Sequence, residues 1–522
     1  MMLGVKSLLQ VRHLFLCILI LGIVAMAARN VADPDLWWHL KTGQWIMQHH
    51  AVPHSDVFSY TRAGQPWVAH EWLSEVFLYG LFRAAGWGGL IAVFSGVIAA
   101  AFFLLYLRCA ATPYAAGAIL LLGALAARPT WGVRPQMLSF LLASIWLLML
   151  DRSEQNSNVL WWTLPLTLLW VNLHAGFALG LALLALYAAG ESLEIACRAN
   201  PNEALRRHRN ALARMFCLNL LVVPLNPNGL RMFVYPIETL RSQAMQNYIA
   251  EWFSPNFHKA EYWPFLFLLL ASIAAFAGSP GKVRPRNILL LLASCYAGLV
   301  SVRMIPVFVL VAAPIFSRQL EEWAAASRWS FGKLLTPAAR ADFKAGPSKG
   351  LLPHAGLRTL LHVAIVAAMG VFVCLRLVTV IRQQAQVEAS QFPVGAVAFL
   401  QEHPPNGNIF NHYDWGGYLI WTLYPGRPVF IDGRADVYGE ELLRQFADTY
   451  QLKGDWMGVL NQWRVATVVV PHDSPLATAL PLVNGWSVMY EDPQATILAR
   501  VANSEAEVQG SGQKNHADAG MR

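Results

Sequence analysis

The sequence predicts an α-helical polytopic membrane protein that ends in a small α/β domain. Hydrophobic residues make up 56% of the 522 and charged residues only 13%, against about 25% charged in a soluble domain. Mean hydropathy is +0.40. The apolar residues gather into long runs up to about residue 380, and beyond it the chain is more polar with short alternating segments. A soluble fold could not hide that much apolar side chain, and the same figures exclude extended disorder. The basic balance, 39 Lys and Arg against 31 Asp and Glu, calls for no nucleic-acid partner, because such residues accumulate in the cytoplasmic loops of membrane proteins. The six cysteines form no CxxC pair and avoid the segments placed outside, so neither a disulfide framework nor a thiolate zinc site is expected.

In chain order, Lys6 and Arg12 precede the apolar run 14–28, a span leaving the cytoplasm. It is kept as an uncleaved anchor, although Ala25-Met26-Ala27 also satisfies a signal-peptidase pattern. Further runs cover 90–107, 114–127, 136–150, 159–189, 215–223, 264–277, 288–316 and 357–380. As one helix, the run 159–189 would reach roughly 46 Å across a hydrocarbon core of about 30 Å. Asn172, His174 and Gly176 interrupt it, and Arg303 and Pro306 interrupt 288–316, so each is split into two helices.

With both splits, the cytoplasmic segments hold Arg108, Arg152, the cluster Arg198, Arg206, Arg207, Arg209 and Arg214, then Lys282, Arg284 and Arg286, and finally Arg318, Arg328, Lys333, Arg340, Lys344 and Lys349. This obeys the positive-inside tendency. It gives about eleven spans, with the N-terminus inside and the C-terminus outside.

The expected organisation is a membrane domain over 1–380 with an interfacial first outer loop at about 30–89, an extracytoplasmic α/β domain over 381–502, and a disordered polar tail over 503–522. In the α/β domain, strands are expected at 408–411, 428–432, 465–470, 486–490 and 495–501, and helices at 440–452 and 456–463. Glu491-Asp492-Pro493-Gln494 marks a hairpin between the last two strands.

The first outer loop carries the strongest chemical signal. It reads Asp33-Pro34-Asp35-Leu36-Trp37-Trp38-His39-Leu40, continues through Pro53-His54-Ser55-Asp56-Val57-Phe58-Ser59-Tyr60, and reaches His70-Glu71-Trp72. Asp33 before Pro34 is a helix start, with Asp33 as N-cap. Trp37, Trp38 and Trp45 suit the headgroup layer, so the loop is expected to return along the membrane as an interfacial helix. A cap and a dipole partner account for one aspartate. They do not account for Asp33, Asp35, His39, Asp56, His70 and Glu71 in one tryptophan-rich loop.

A multi-span chain with paired acidic residues just after its first span resembles the GT-C class of membrane glycosyltransferases. More closely, it resembles a bacterial branch with the pattern D-x-D-x-W-W-H-L-x-x-G, then P-x-x-D-x-F-S-Y-T, then E-W-L. The resemblance implies a sugar donor carried on a polyprenyl phosphate or diphosphate, in the bacterial inner membrane. It implies that Asp33 or Asp35 acts as general base on the acceptor or helps hold a divalent metal. The departing lipid phosphate needs cationic stabilisation. Arg128, Arg134 and Arg303, at expected outer ends of spans, are the candidates, since a lone charge there is costly unless it faces a cavity or a partner. The alternative for each is snorkelling or a local ion pair.

His39, His70, Glu71 and His174 are further candidates for the sugar or phosphate, and Glu251 carries lower weight. His412-Tyr413-Asp414-Trp415-Gly416-Gly417 faintly resembles an oligosaccharyltransferase signature, but lacks its tryptophan pair. Asp414, Asp432 and Arg434 are acceptor-side candidates, alongside a purely structural reading of the same turns. Two other functions share the features: a transporter or flippase of lipid-linked glycans, and a polysaccharide polymerase or ligase. The first does not account for the carboxylate-rich loop, and no inverted repeat is visible.

Overall fold

The computed structural model describes residues 11–198, 200, 202–278, 283–326 and 355–501. Lys6, Lys282, the basic residues from Arg328 to Lys349 and the tail 503–522 lie outside the described residues. Every apolar run forms a helix. In order these are α1 Val11–Ala27, α2 Asp35–His49 in the first loop, α3 Trp72–Arg108, α4 Pro113–Ala127, α5 Pro135–Ser153, α6 Thr163–Leu173, α7 Phe177–Ala196, α8 Glu203–Val222, α9 Arg231–Arg241, α10 Gln243–Tyr248, α11 Trp263–Gly278, α12 Pro285–Val300, α13 Ile305–Ala326 and α14 Ala355–Gln391. Proline opens α4, α5 and α12, where its missing N–H costs nothing.

Both long runs divide where the sequence predicts. His174 leaves α6 in an extended conformation, φ −168° and ψ 147°. Ser301 ends α12 likewise, and Arg303 lies in the short 3₁₀ turn Val302–Met304. Gly86, at φ 56° and ψ −153°, breaks α3 into two helical parts, a backbone state open to glycine. Among the described residues, five helical segments are long and apolar enough to cross a membrane: Trp72–Arg108, Phe177–Ala196, Ala260–Gly278, Val302–Trp323 and Thr359–Gln391. Val11–Ala27 and Pro285–Val300 are shorter and also apolar. The protein is a multi-pass helical membrane protein with a C-terminal α/β unit.

The chain folds as two compact units. The first comprises Met1–Asp33, Thr42–Val52 and Val68–Gln384. In it α3 packs on α5, α7 on α8, and α12 on α7 and α13. The end of α1 is pinned to α14: the Gln384 carboxamide exchanges two hydrogen bonds with the Val31 backbone, both 2.9 Å. Near the ends of α3, α5, α7 and α8, ionisable side chains pair off. Arg108 meets Asp151 at 2.7 Å, and His208 meets the wholly buried Glu191 at 2.8 Å.

The second unit comprises Pro34–Lys41, Pro53–Trp67 and Ala385–Arg522, so two pieces of the first loop fold with the C-terminal region. Helix α15 spans Val394–Glu402, and β1 Asn408–Asn411 follows it. Then come α16 Gly416–Leu423, α17 Ala435–Tyr450, α18 Trp456–Gln462, β2 Val465–Pro471, α19 Pro475–Ala479, β3 Trp486–Glu491 and β4 Ala495–Arg500. The sheet order is β1-β2-β4-β3. β1 and β2 are parallel, the other pairs antiparallel, and β3–β4 is the expected hairpin.

One expected strand is absent from this sheet. Residues 428–432 run beside the first-loop segment instead: Val429 N–H donates to Phe58 O and Tyr60 N–H to Val429 O, each at 3.1 Å. The run is apolar because it is buried, but its backbone partners come from the loop. Helix α17 also starts earlier than the expected 440 and is bent at Gly439, φ 70°.

Candidate active site

In the first unit, the residue types singled out in the loops converge. Asp33 lies two residues before the first residue of α2, Asp35. Its carboxylate faces Arg134 Nε. Arg134 is the extended residue before Pro135 of α5, and its Nη1 meets Glu251 Oε1. Glu251 lies in the 3₁₀ turn Ala250–Trp252. Burial acts to raise its carboxyl pKa, but the Arg134 and Arg303 guanidiniums outweigh burial and hold it below the ordinary value. Arg303 lies over the Trp252 ring at 5.6 Å, and with the Gln136 carboxamide turned so that its oxygen faces the guanidinium, Arg303 Nε donates to it at 2.6 Å.

The same guanidinium approaches His174, with Nη2 3.5 Å from Nε2. His174 Nε2 is 3.2 Å from Glu71 Oε1, and His70 Nε2 is 3.3 Å from the same oxygen. The backbone places these groups through local sequence: Glu71 is the residue before α3, and His174 occupies the turn between α6 and α7. A continuous run of ionisable side chains, Asp33–Arg134–Glu251–Arg303–His174–Glu71–His70, thus forms inside one unit.

Next to it is a cavity of about 480 Å³ lined by Arg29, Arg128, Glu251, Glu261 and Tyr262 among others. Arg29 donates to the Arg128 carbonyl at 2.6 Å. Its pKa is lowered, by burial first and then by repulsion from the Arg128 guanidinium. Arg29 and Arg128 share the lining with Glu251 and Glu261, so cationic character is confined to the Arg29/Arg128 side of the cavity. Arg128 was legible as a candidate; Arg29, directly after the first apolar run, was not singled out.

The remaining candidates lie in the second unit. Asp35 opens α2 and accepts the Trp38 indole N–H at 3.1 Å. Gly433 packs beneath it, where a Cβ would overlap Asp35 Oδ1. His39 is buried, with its ring centroid 3.6 Å from that of Trp38. Tyr413 donates to Gly433 O at 3.2 Å. Its phenol pKa is raised well above the ordinary value, by burial first and then by Asp35, Asp432, Asp414 and Asp436. Sequence reasoning passed over Tyr413, since nothing local marks a tyrosine among four carboxylates that meet only through the fold.

Asp414 is exposed. Asp432 and Arg434 are buried, at 0% and 2% exposure, and leave no surface to an acceptor. The Arg434 guanidinium binds Asp432 Oδ2 at 2.6 Å and Asp56 Oδ1 at 2.7 Å. It lies over the rings of Trp67 and Phe58 at 4.6 and 5.1 Å. Burial acts to raise the Asp56 carboxyl, but Arg434, with hydrogen bonds from Ser59 and Phe58, holds it below its ordinary value.

Among the described residues no three His, Cys, Asp or Glu side chains converge as a metal site. Asp33 also meets an arginine where a cation would sit. With Arg134 in place, Asp33 does not fit a divalent ion.

The fold resembles that of the archaeal oligosaccharyltransferase AglB from Archaeoglobus fulgidus, solved in complex with an inhibitory peptide and a dolichol-phosphate. The TM-score is 0.55 at 11% identity, over 92% of this chain and 74% of that one. ArnT from Cupriavidus metallidurans matches over 93% of this chain, with TM-score 0.45 and 15% identity bound to undecaprenyl phosphate, and 0.49 and 14% in the apo state. These two cover 97% and 96% of ArnT. No protein-family model matches the sequence, and no curated protein does. The likeness to AglB, a GT-C glycosyltransferase, establishes the GT-C fold.

Proposed function

We propose that the protein is a membrane glycosyltransferase that moves a sugar from a polyprenyl-phosphate-linked donor to a lipid, glycan or protein acceptor at the outer face of a bacterial inner membrane. The observation that carries this reading is the Asp33–Arg134–Glu251–Arg303 network beside the Arg29/Arg128 cavity, in a unit with the GT-C fold. The dolichol-phosphate held by AglB supports a polyprenyl phosphate as the donor's carrier.

The chemistry follows from these groups. The acceptor oxygen attacks C1 of the sugar as its proton passes to a carboxylate. The bond from C1 to the lipid phosphate breaks, and its electron pair leaves on the phosphate oxygen. That charge is met by guanidiniums already in place, which need no reorganisation as it develops. Asp33 faces Arg134 and orients it toward this role. Asp35, held by Trp38 and seated on Gly433, is the base. Arg128, with Arg29, receives the phosphate.

The test incubates purified protein with a panel of polyprenyl-phosphate sugars and measures release of free polyprenyl phosphate. Asp35→Asn keeps the size and the indole hydrogen bond but removes the proton acceptor, and the rate should fall about 10²–10⁴-fold. If Asp35→Asn and Asp33→Asn both transfer at near-normal rates, the reading of this loop is wrong.

A further inference from the structure

Residues 226–262 contribute Glu251 to the ionisable run, and their first helix has three distinct sides. Helix α9 is 11 residues long, roughly 16 Å, about half of what crossing a hydrocarbon core of ~30 Å needs. At about 100° per residue, Met232, Tyr235 and Thr239 share one side. Met232 and Tyr235 are buried against the protein, and the Tyr235 ring lies 4.4 Å from that of His70. Leu230, Phe233, Val234, Ile237 and Leu240 share the opposite side, an arc of about 120°, and are 36% to 71% exposed. Arg231 and Glu238 form a narrow third edge between these two sides, 4.0 Å apart and both more than half exposed.

Large apolar side chains scattered singly over a surface need no explanation, but five on one helix face make a patch that marks an interaction. Several observations say what covers it. The patch continues the apolar surface of the membrane helices. Leu221 and Leu225, at the end of α8, are exposed just before it, and the exposed Trp263 opens α11, part of a segment long and apolar enough to cross a membrane. The order of the sides matches the border of a bilayer. With the charged edge turned to water and the protein on one flank, the apolar arc faces outward and down, where acyl chains lie. The charges fit as well: Arg231 and Arg241 stand exposed at the two ends of the helix, within reach of lipid phosphates. One face of so short a helix is also too small for a stable protein interface, which buries about 1,200–2,000 Å². By contrast, Trp37 and Trp38 of α2, which suit a headgroup layer by sequence, are buried.

We propose that α9 docks in the membrane leaflet on the side of the site, with its apolar arc among the acyl chains and its two arginines at the phosphates, and that this contact holds the His70 edge of the site at headgroup depth. The docking stands on the helix alone. Its service to transfer rests on the sugar-transfer reading, in which a polyprenyl phosphate presents its sugar at that depth.

A fluorescent amino acid in place of Ile237 or of Glu238 reads the depth without touching the six cysteines. The full chain is placed in nanodiscs of phosphatidylethanolamine and phosphatidylglycerol. Lipids brominated on the acyl chain should quench the label at 237 at least about threefold more than the label at 238, since a docked face lies several Å below the headgroups. Aqueous iodide should show the reverse order, and a label in place of Phe233 should follow the one at 237. Equal quenching at 237 and 238, or stronger iodide quenching at 237, would overturn the docking and leave the face open to a protein partner or a second copy.

Phe233→Ser combined with Ile237→Ser weakens the anchor and leaves Tyr235 in place. In the donor-release assay in nanodiscs, this variant should be slowed at least about threefold, because a small misplacement of a positioned group costs rate. In detergent, where no leaflet sets the depth of the helix, it should match the wild type. The same ratio to wild type in both media would overturn the service to transfer. A wild type inactive on every donor would overturn the sugar-transfer reading and that service with it, while the quenching still decides the docking.

Discussion

Replacing Arg434 by methionine removes the cation that bridges two buried carboxylates while roughly preserving volume. The Arg434 side chain is 1% exposed, and Asp56 and Asp432 are each 0% exposed. A buried triad adds little net stability, because desolvation offsets its attraction, but removing one partner leaves the others charged and unsolvated. Such a loss costs about 3–5 kcal/mol. At 1.4 kcal/mol per decade that is roughly a hundred- to several-thousand-fold in the local opening constant.

The natural readout is hydrogen exchange of the whole protein in detergent, at the Tyr60 and Val429 amides that join the loop segment to residues 428–432. The sign with pH is fixed. Asp56 is held below its ordinary carboxyl value, so its stabilisation is present above about pH 4 and is lost as pH falls through the lower folded value. In Arg434→Met the stranded carboxylates would gain by protonation, so acidification should recover part of the lost protection. The triple variant with Asp56→Asn and Asp432→Asn should recover part of it at neutral pH. Exchange at these amides within threefold of wild type in Arg434→Met would refute the argument.

Two further outcomes follow from the site. Gly433→Ala should displace Asp35, because the new Cβ would overlap its Oδ1; donor turnover should drop at least about tenfold with exchange in β2 unchanged, and normal turnover would remove Gly433 from the site. Arg128→Gln should weaken retention of a polyprenyl phosphate, read by native mass spectrometry, by about tenfold for one lost charge-assisted contact, with Arg29→Gln acting in the same direction; equal retention by both variants would move the phosphate out of this cavity.

Periodicity and local chemistry made the membrane part legible. Each apolar run became a helix, and both long runs parted at His174 and next to Arg303, because hydrocarbon thickness and a polar or proline interruption act on the chain locally. The β3–β4 hairpin and the buried β2 were equally readable from their turn residues and valine run.

Residues 428–432 were not. An apolar extended segment reports burial, and only the fold shows that Phe58 and Tyr60 supply its hydrogen bonds. The two aspartates show the same limit. Sequence placed Asp33 and Asp35 together, and only the fold assigns them to different units, with the boundary after Asp33.

Sequence alone determined the fold class, the helices and the types of residue available for chemistry. Tertiary structure decided the partners: Asp33 with Arg134, Glu251 with two arginines, Asp432 and Arg434 closed on Asp56, and Glu71 between two histidines. The physical reason is range. Helix propensity and hydropathy are summed over neighbours in the chain, whereas a charge is satisfied by whatever partner the packing brings within about 4 Å, however distant in sequence.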